Sequence, residues 1–282
     1  MKFNEDVLAV IVLYKIKLHD SASFKSLSAS LKPGNSRLEL LVYDNSPEYN
    51  TGEEPDDQKK WNVTYHADPE NSGVSKAYNI AADLAEKKGK SWLLLLDQDT
   101  NFPADTFPAY EAAINNFPGE KLFVPVMLTS LNEIISPGKF KWMRGFYAKA
   151  MKPGINNLHG YSTINCGMCI ALGAFNENNG YNELIKLDFS DHDFIRRFKK
   201  NITTSFVVIE LKVRHNLSTS EKVTFNQDRV RFKYYLDGSG HFSQSPGDSV
   251  LLNMHAFLRA LKLTVAHKNL FFLKSAVKHI FD

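Results

Sequence analysis

Runs of Val, Ile and Leu bounded by polar turns recur at residues 7–13, 38–43, 92–96 and 122–127. Their hydrophobicity is continuous, not alternating, which predicts strands covered on both faces. Helical patterns lie between them. In residues 20–31, Asp20 or Ser21 stands where an N-cap is needed, and Phe24, Leu27 and Leu31 share one face. Residues 73–89 place Val74, Ala77, Ile80, Ala81 and Leu84 at helical spacing, with Gly89 positioned to end the helix. A further helix is expected from about Ala104 to Phe117. This alternation predicts βαβ units and a mostly parallel sheet. The polar stretch 45–62 reads as a surface loop, and 130–161, rich in Pro, Gly and aromatic residues, as an irregular excursion over a cleft. In the later half, residues 184–201 form a helix candidate beginning near Asp188, residues 205–213 a strand, and 250–280 an apolar and basic helical tail.

Composition narrows the class. The chain has 282 residues and a formal charge of +3, with acidic and basic residues interspersed, so no nucleic-acid partner is expected. Two cysteines cannot supply the disulfide framework of a secreted domain, and the N-terminus carries no signal pattern. A cytoplasmic protein is expected, without a transmembrane anchor, because no apolar run approaches the roughly 20 residues such a span requires. Cys166-Gly167-Met168-Cys169 matches C-x-x-C, but zinc needs further ligands and redox chemistry needs a low-pKa thiol at a helix start. The segment reads instead as small core residues beside the cleft.

The sharpest chemical feature is Asp97-Gln98-Asp99, directly after the apolar run 92–96. Two carboxylates at a strand end can offer oxygen ligands to Mg²⁺ or Mn²⁺, and the cation can hold a diphosphate. An Asx turn capping the following helix would use the same residue types. In open parallel sheets, ligands bind beyond the carboxyl ends of the strands, so the loops at 14–20, 44–60 and 97–103 should converge there. Asp191 is a candidate general base, with Asp188 as its rival one helical turn earlier. His215 is either a third metal ligand or an ordinary loop histidine. Arg214, Ser218, Thr219 and Ser220 are further phosphate candidates.

The order of these residues resembles family 2 glycosyltransferases, whose fold is the GT-A α/β fold: a Rossmann-like, mostly parallel central sheet flanked by helices. VLAVIVLYK and LLVYDNSPE resemble the family's opening strands, which implies that Leu13, Tyr14 and Asp44 hold the nucleotide. NSGVSKAYN resembles the segment by which a helix approaches the donor, implying Asn71, Gly73 and Asn79. LLLLDQDT resembles the D-x-D strand end, placing Asp97 and Gln98 on the sugar-nucleotide side and Asp99 on the metal. The segment 164–200 resembles the acceptor region, which implies Asp191 as base, Asp193 and Arg197 behind it, and Gly167 and Met168 on the acceptor side. Tyr14-Lys15 and Ser190-Asp191 depart from the family's usual Tyr-Asn and Glu-Asp pairs.

The resemblance covers about residues 7–220 and extends to a subset active on rhamnose-type donors. It implies a domain 1–220, with a nucleotide-binding half 1–128 and an acceptor-binding half 129–220, followed by a C-terminal helical extension, 221–282. The implied activity is metal-dependent inverting transfer of a sugar from dTDP-rhamnose or a UDP-sugar to a saccharide or lipid-linked hydroxyl in surface polysaccharide biosynthesis. A nucleotidyltransferase or a noncatalytic carbohydrate-binding protein on the same fold are the alternatives. The extension packs on the domain, on a second copy, or on the inner face of a membrane.

Overall fold

A computed structural model describes residues 2–31, 37–50, 60–215 and 223–281. In chain order the elements are α1 (Phe3–Asp6), β1 (Val7–Leu13), α2 (Ala22–Ser30), β2 (Leu38–Asp44), β3 (Trp61–Ala67), α3 (Val74–Lys87), β4 (Trp92–Asp97), β5 (Thr100–Asn101), α4 (Thr106–Asn116) and β6 (Leu122–Leu128). Then come β7 (Ile134–Lys141), β8 (Arg144–Ala148), β9 (Gly154–Asn157), β10 (Tyr161–Ser162), β11 (Cys169–Ala171), α5 (Leu172–Glu177), α6 (Ser190–Asn201), β12 (Ser205–His215), α7 (Phe225–Phe242), α8 (Pro246–His267) and α9 (Phe271–Phe281).

The central sheet runs β10-β7-β6-β11-β4-β1-β2-β3. Strands β3, β2, β1 and β4 are parallel, and the short β11 enters antiparallel between β4 and β6. The continuous apolar runs have the expected cause: β1 is buried along its whole length, and its side chains alternate between two cores. Val7, Ala9, Ile11 and Leu13 face Phe24 and Leu27 of α2 and Phe107 and Ile114 of α4. Leu8, Val10 and Val12 face Ala77, Tyr78 and Ala81 of α3 and Phe194, Ile195 and Phe198 of α6. A sheet with helices on both faces is the GT-A arrangement the sequence leads to.

Several elements differ from expectation. The loop ends at β3, a half-exposed edge strand too polar to read as part of an all-buried sheet. The irregular segment 130–161 contains β7, β8 and β9, and their exposed or half-buried side chains hide the pairing. Helix α6 begins at Ser190, because Phe189 takes a left-handed conformation (φ 76°) at its N-cap and leaves Asp188 outside the helix.

The C-terminal extension packs on the domain. Arg196 of α6 lies over the Phe242 ring at 4.0 Å and 3.4 Å from Asp248, while Phe189 stacks on Phe242 at 5.2 Å. Helices α7, α8 and α9 share a small core of Phe232, Leu236, Ala256, Ala260, Phe272 and Ala276. Among the described residues no helix is long and apolar enough to cross a membrane.

Candidate active site

The carboxyl ends of β1, β2 and β4 lie side by side at one edge of the sheet, as their parallel pairing requires. Leu13 is buried in the core, so only its backbone faces the strand end, where its carbonyl accepts the Asn45 N–H at 3.0 Å. Tyr14 is exposed, and its backbone is clamped by Gln98, whose Oε1 accepts the Tyr14 N–H at 2.7 Å and whose Nε2 donates to the Tyr14 carbonyl. Gln98 therefore ties β1 to β4. Lys15 lies 5.1 Å from the Tyr14 ring centre.

Asp44 is fully buried and accepts hydrogen bonds from Tyr65 Oη (2.8 Å), Asn50 Nδ2 (2.6 Å) and the Ser46 N–H (2.9 Å). This preorganised carboxylate closes the end of β2. Beside it, Asp68 accepts from Tyr43 Oη at 2.7 Å and the Ser72 N–H at 2.8 Å. Burial pushes the Asp68 carboxyl upward, but these donors outweigh it and hold the group below its usual range. Asp68 organises the turn carrying Asn71, which is left-handed (φ 48°), and it was not singled out from sequence. An Asp followed by a turn into a Gly-initiated helix is the signal that could have found it.

Gly73 and Asn79 join α3 to the segment 181–186. Gly73 has φ 93°, and a Cβ there would stand 2.2 Å from the Lys186 carbonyl oxygen, which accepts the Val74 N–H at 2.9 Å. Asn79 accepts from the Tyr181 N–H at 2.8 Å and donates to the Tyr181 carbonyl and to Glu183. Gly73→Ala is expected to cost about 2–4 kcal/mol, from left-handed strain plus the backbone clash. An unchanged urea midpoint would contradict that close approach.

The D-x-D carboxylates stand in different surroundings. Burial, reinforced by Asp99 and Asp191, raises the Asp97 carboxyl to about 7, against a weak opposing hydrogen bond from Tyr78 Oη at 3.5 Å. Tyr78 thus lies beneath the site, on the small-residue face of α3. Asp99 has a 41% exposed side chain, yet its Oδ1 is buried with no hydrogen-bond partner and lies 3.6 Å from His215 Nδ1. The same His215 nitrogen is 2.8 Å from Thr100 Oγ1, which accepts from Cys166 Sγ at 3.3 Å. Pairing of β12 with β5 brings His215 beside Thr100 across 115 residues of chain. Among the described residues no group of three or more His, Cys, Asp or Glu could hold a metal.

Asp191 occupies the first turn of α6, its Oδ1 accepting the His192 N–H at 2.7 Å. Its side chain is 18% exposed, and its charge raises both Asp97 and Tyr78, so Asp191 and Asp97 share one electrostatic site. His192 Nδ1 lies 3.7 Å from Asp191 Oδ1 and 2.8 Å from Ser162 Oγ. Asp188 does not share the helical face of Asp191. It faces the C-terminal helices, 3.8 Å from Arg231 and 4.0 Å from Arg259, and burial raises its carboxyl despite those two guanidinium groups.

Asp193 is buried in an ion pair with Arg197 Nε at 2.8 Å, and Arg197 also donates to the Asn178 carbonyl. The pair holds α6 to the end of α5. Gly167 and Met168 are buried, as small core residues would be, and are bonded to Leu95 through the Gly167 N–H and the Met168 C=O. Burial pushes both cysteine thiols well above their usual range, consistent with packing and not redox chemistry. Arg214 donates to Asn132 Oδ1 at 2.9 Å, while Ser218, Thr219 and Ser220 lie outside the described residues.

Residues 22–168 match the family described as Glycosyl transferase family 2. No curated protein matches the chain. Among solved structures, S. aureus TarS 1-349 is similar over 88% of this chain and 69% of its own, with 14% identity and a TM-score of 0.52. The same protein in complex with UDP-GlcNAc gives 14% identity and a TM-score of 0.53 over 88% of this chain and 71% of its own. GalNAc-T7 with UDP, GalNAc and Mn²⁺ aligns over 89% of this chain and 54% of its own, at 12% identity and a TM-score of 0.54. At these identities the likeness is one of fold.

Proposed function

From the premise that the chain belongs to glycosyl transferase family 2, we propose that it inverts the anomeric centre of a nucleotide-diphosphate sugar as it transfers that sugar to a saccharide or lipid-linked hydroxyl. The observation that carries the metal assignment is the buried, unpartnered Asp99 Oδ1 facing His215 at the end of β4. An orphaned carboxylate oxygen is costly unless a cation or donor satisfies it. Asp99 and His215 would hold Mg²⁺ or Mn²⁺, with donor oxygens and water completing the set. When bound, the cation supplies positive charge to the departing diphosphate.

The chain's own groups do the rest. Asp44, fixed by Tyr65, Asn50 and Ser46, recognises the nucleoside, with Tyr14 at the open edge. Asn71 and Gly73 shape the backbone beside it, and Asp97 and Gln98 line the sugar side. Asp191 takes the proton of the attacking hydroxyl, and one displacement by one base inverts the anomeric carbon. Asp193 and Arg197 act behind it by fixing α6. A UDP-sugar is the first donor to test, because the TarS and GalNAc-T7 structures carry UDP or UDP-GlcNAc. dTDP-rhamnose is the second.

The experiment is a thermal-shift titration with UDP and Mn²⁺, repeated with chelator and with Asp99→Ala. At nucleotide about 100 times Kd, stabilisation of about 2.7 kcal/mol is expected for the wild type. It should vanish with chelator or in the variant. Equal UDP stabilisation in all three samples would rule out the Asp99 assignment.

A further inference from the structure

A cavity of about 520 Å³ opens on the acceptor side, between the N-terminus of α6, the β7–β8 hairpin and the C-terminal helices. Asp188, Phe189 and His192 line it, so it borders Asp191 on both sides in sequence. The hairpin is fastened to α8 by His255 Nε2, 2.8 Å from the Trp142 carbonyl. The C-terminal helices are therefore one wall of a space lined by His192, whose imidazole lies 3.7 Å from the Asp191 carboxylate.

The charge of this wall is one-sided. Arg144, Arg259 and Lys262 line the cavity, and Asp188 is the sole lining carboxylate among the described residues. Asp188 is already shared between Arg231 and Arg259. Arg259 is also fixed by Tyr235, its guanidinium 4.4 Å from the ring centre. Arg144 and Lys262 make no ion pair with any described residue, although both line the same open cavity from different elements. Unneutralised cations converging on a concave site raise the local concentration of anions and favour oxyanion recognition.

Resting on the glycosyltransferase reading, we propose that this cavity is an acceptor subsite for a phosphate group, held by Arg144 and Lys262 so that a neighbouring hydroxyl of the acceptor reaches Asp191. The substrate class is a phosphate-bearing saccharide or polyol, either soluble or the headgroup of a lipid. Leu258 lines the cavity and is 55% exposed, continuing along α8 into exposed Leu261 and Val265, so a lipid source has an apolar path beside the headgroup.

The test measures sn-glycerol 3-phosphate binding by calorimetry on the full chain, with saturating UDP and Mn²⁺ to occupy the donor site. Glycerol is the uncharged control, and vesicles of phosphatidylcholine with and without phosphatidic acid form a separate arm. Wild-type protein should bind the phosphate and not glycerol. Arg144→Ala with Lys262→Ala should weaken that binding at least tenfold, Lys262→Arg should retain it, and rising salt should weaken it in the wild type. Binding of glycerol phosphate alone identifies a soluble source; additional binding to phosphatidic acid vesicles that the double variant loses identifies a lipid source. Absence of phosphate binding in both arms, or equal affinity in the double variant, overturns the proposal. UDP titrations of the same proteins are read separately: loss of UDP binding by wild type would sink the donor reading, whereas the phosphate result depends on residues outside the donor cleft.

Discussion

Asp191→Asn is expected to lower kcat by about 10²–10⁴-fold while UDP binding stays within about twofold of wild type, the loss typical of a removed general base. The amide keeps the size of the carboxylate and can still accept the His192 N–H, so α6 should start where it does now. Only the capacity to take a proton disappears. Asp188→Asn should behave differently, because that carboxylate joins the domain to Arg231 of α7 and Arg259 of α8. Its expected signature is a changed melting temperature and looser C-terminal helices, with the pH dependence of turnover retained. Single-turnover rates with saturating donor separate the two. Full single-turnover activity in Asp191→Asn would move the base elsewhere.

Asp97→Asn is expected to stabilise the metal-free, nucleotide-free protein at pH 8 while impairing donor use. The folded-state value of about 7 lies above the usual carboxylate range, so the native state holds this proton more tightly than the unfolded chain does. Between roughly pH 4 and 7 the native state therefore binds more protons, and wild-type stability falls as pH rises through that window. The loss is complete above about pH 7 and amounts to at most about 4 kcal/mol at 1.36 kcal/mol per pKa unit. Asparagine does not ionise, so the stability gap between variant and wild type should be absent below about pH 4 and open fully by pH 8. Urea unfolding in chelator across that range reads it directly. A gap that does not change with pH would show that Asp97 ionises normally. The cleft thus keeps a carboxylate at a cost to stability, as functional sites often do.

Strands β1, β4 and β6 are legible because burial on both faces makes every position apolar, a pattern independent of the partners. The D-x-D carboxylates are legible for a related reason: polar residues that end such a strand must emerge at the sheet's edge. Helix α3 shows its periodic face, and Ala77 and Ala81 are buried as that face requires. Edge strands β3, β8 and β9 are not visible in this way, since backbone hydrogen bonds hold them while many of their side chains remain in water. β11 is three residues long and gains its place only by fitting between β4 and β6.

The site residues divide along the same line. Asp97, Asp99 and Asp191 could be named from chemistry and order, but His215 meets Asp99 only because β12 pairs with β5. Asp188 and Asp191 look equivalent at helical spacing until Phe189 turns left-handed and aims Asp188 at Arg231 and Arg259. Gly73 is required by a carbonyl more than a hundred residues away, and the cationic cavity exists only where α8 closes over the hairpin. Local order records burial, periodicity and the chemical nature of each group. Which groups face one another follows from the packing of distant elements, where partner choice, backbone turns and shared volume act together.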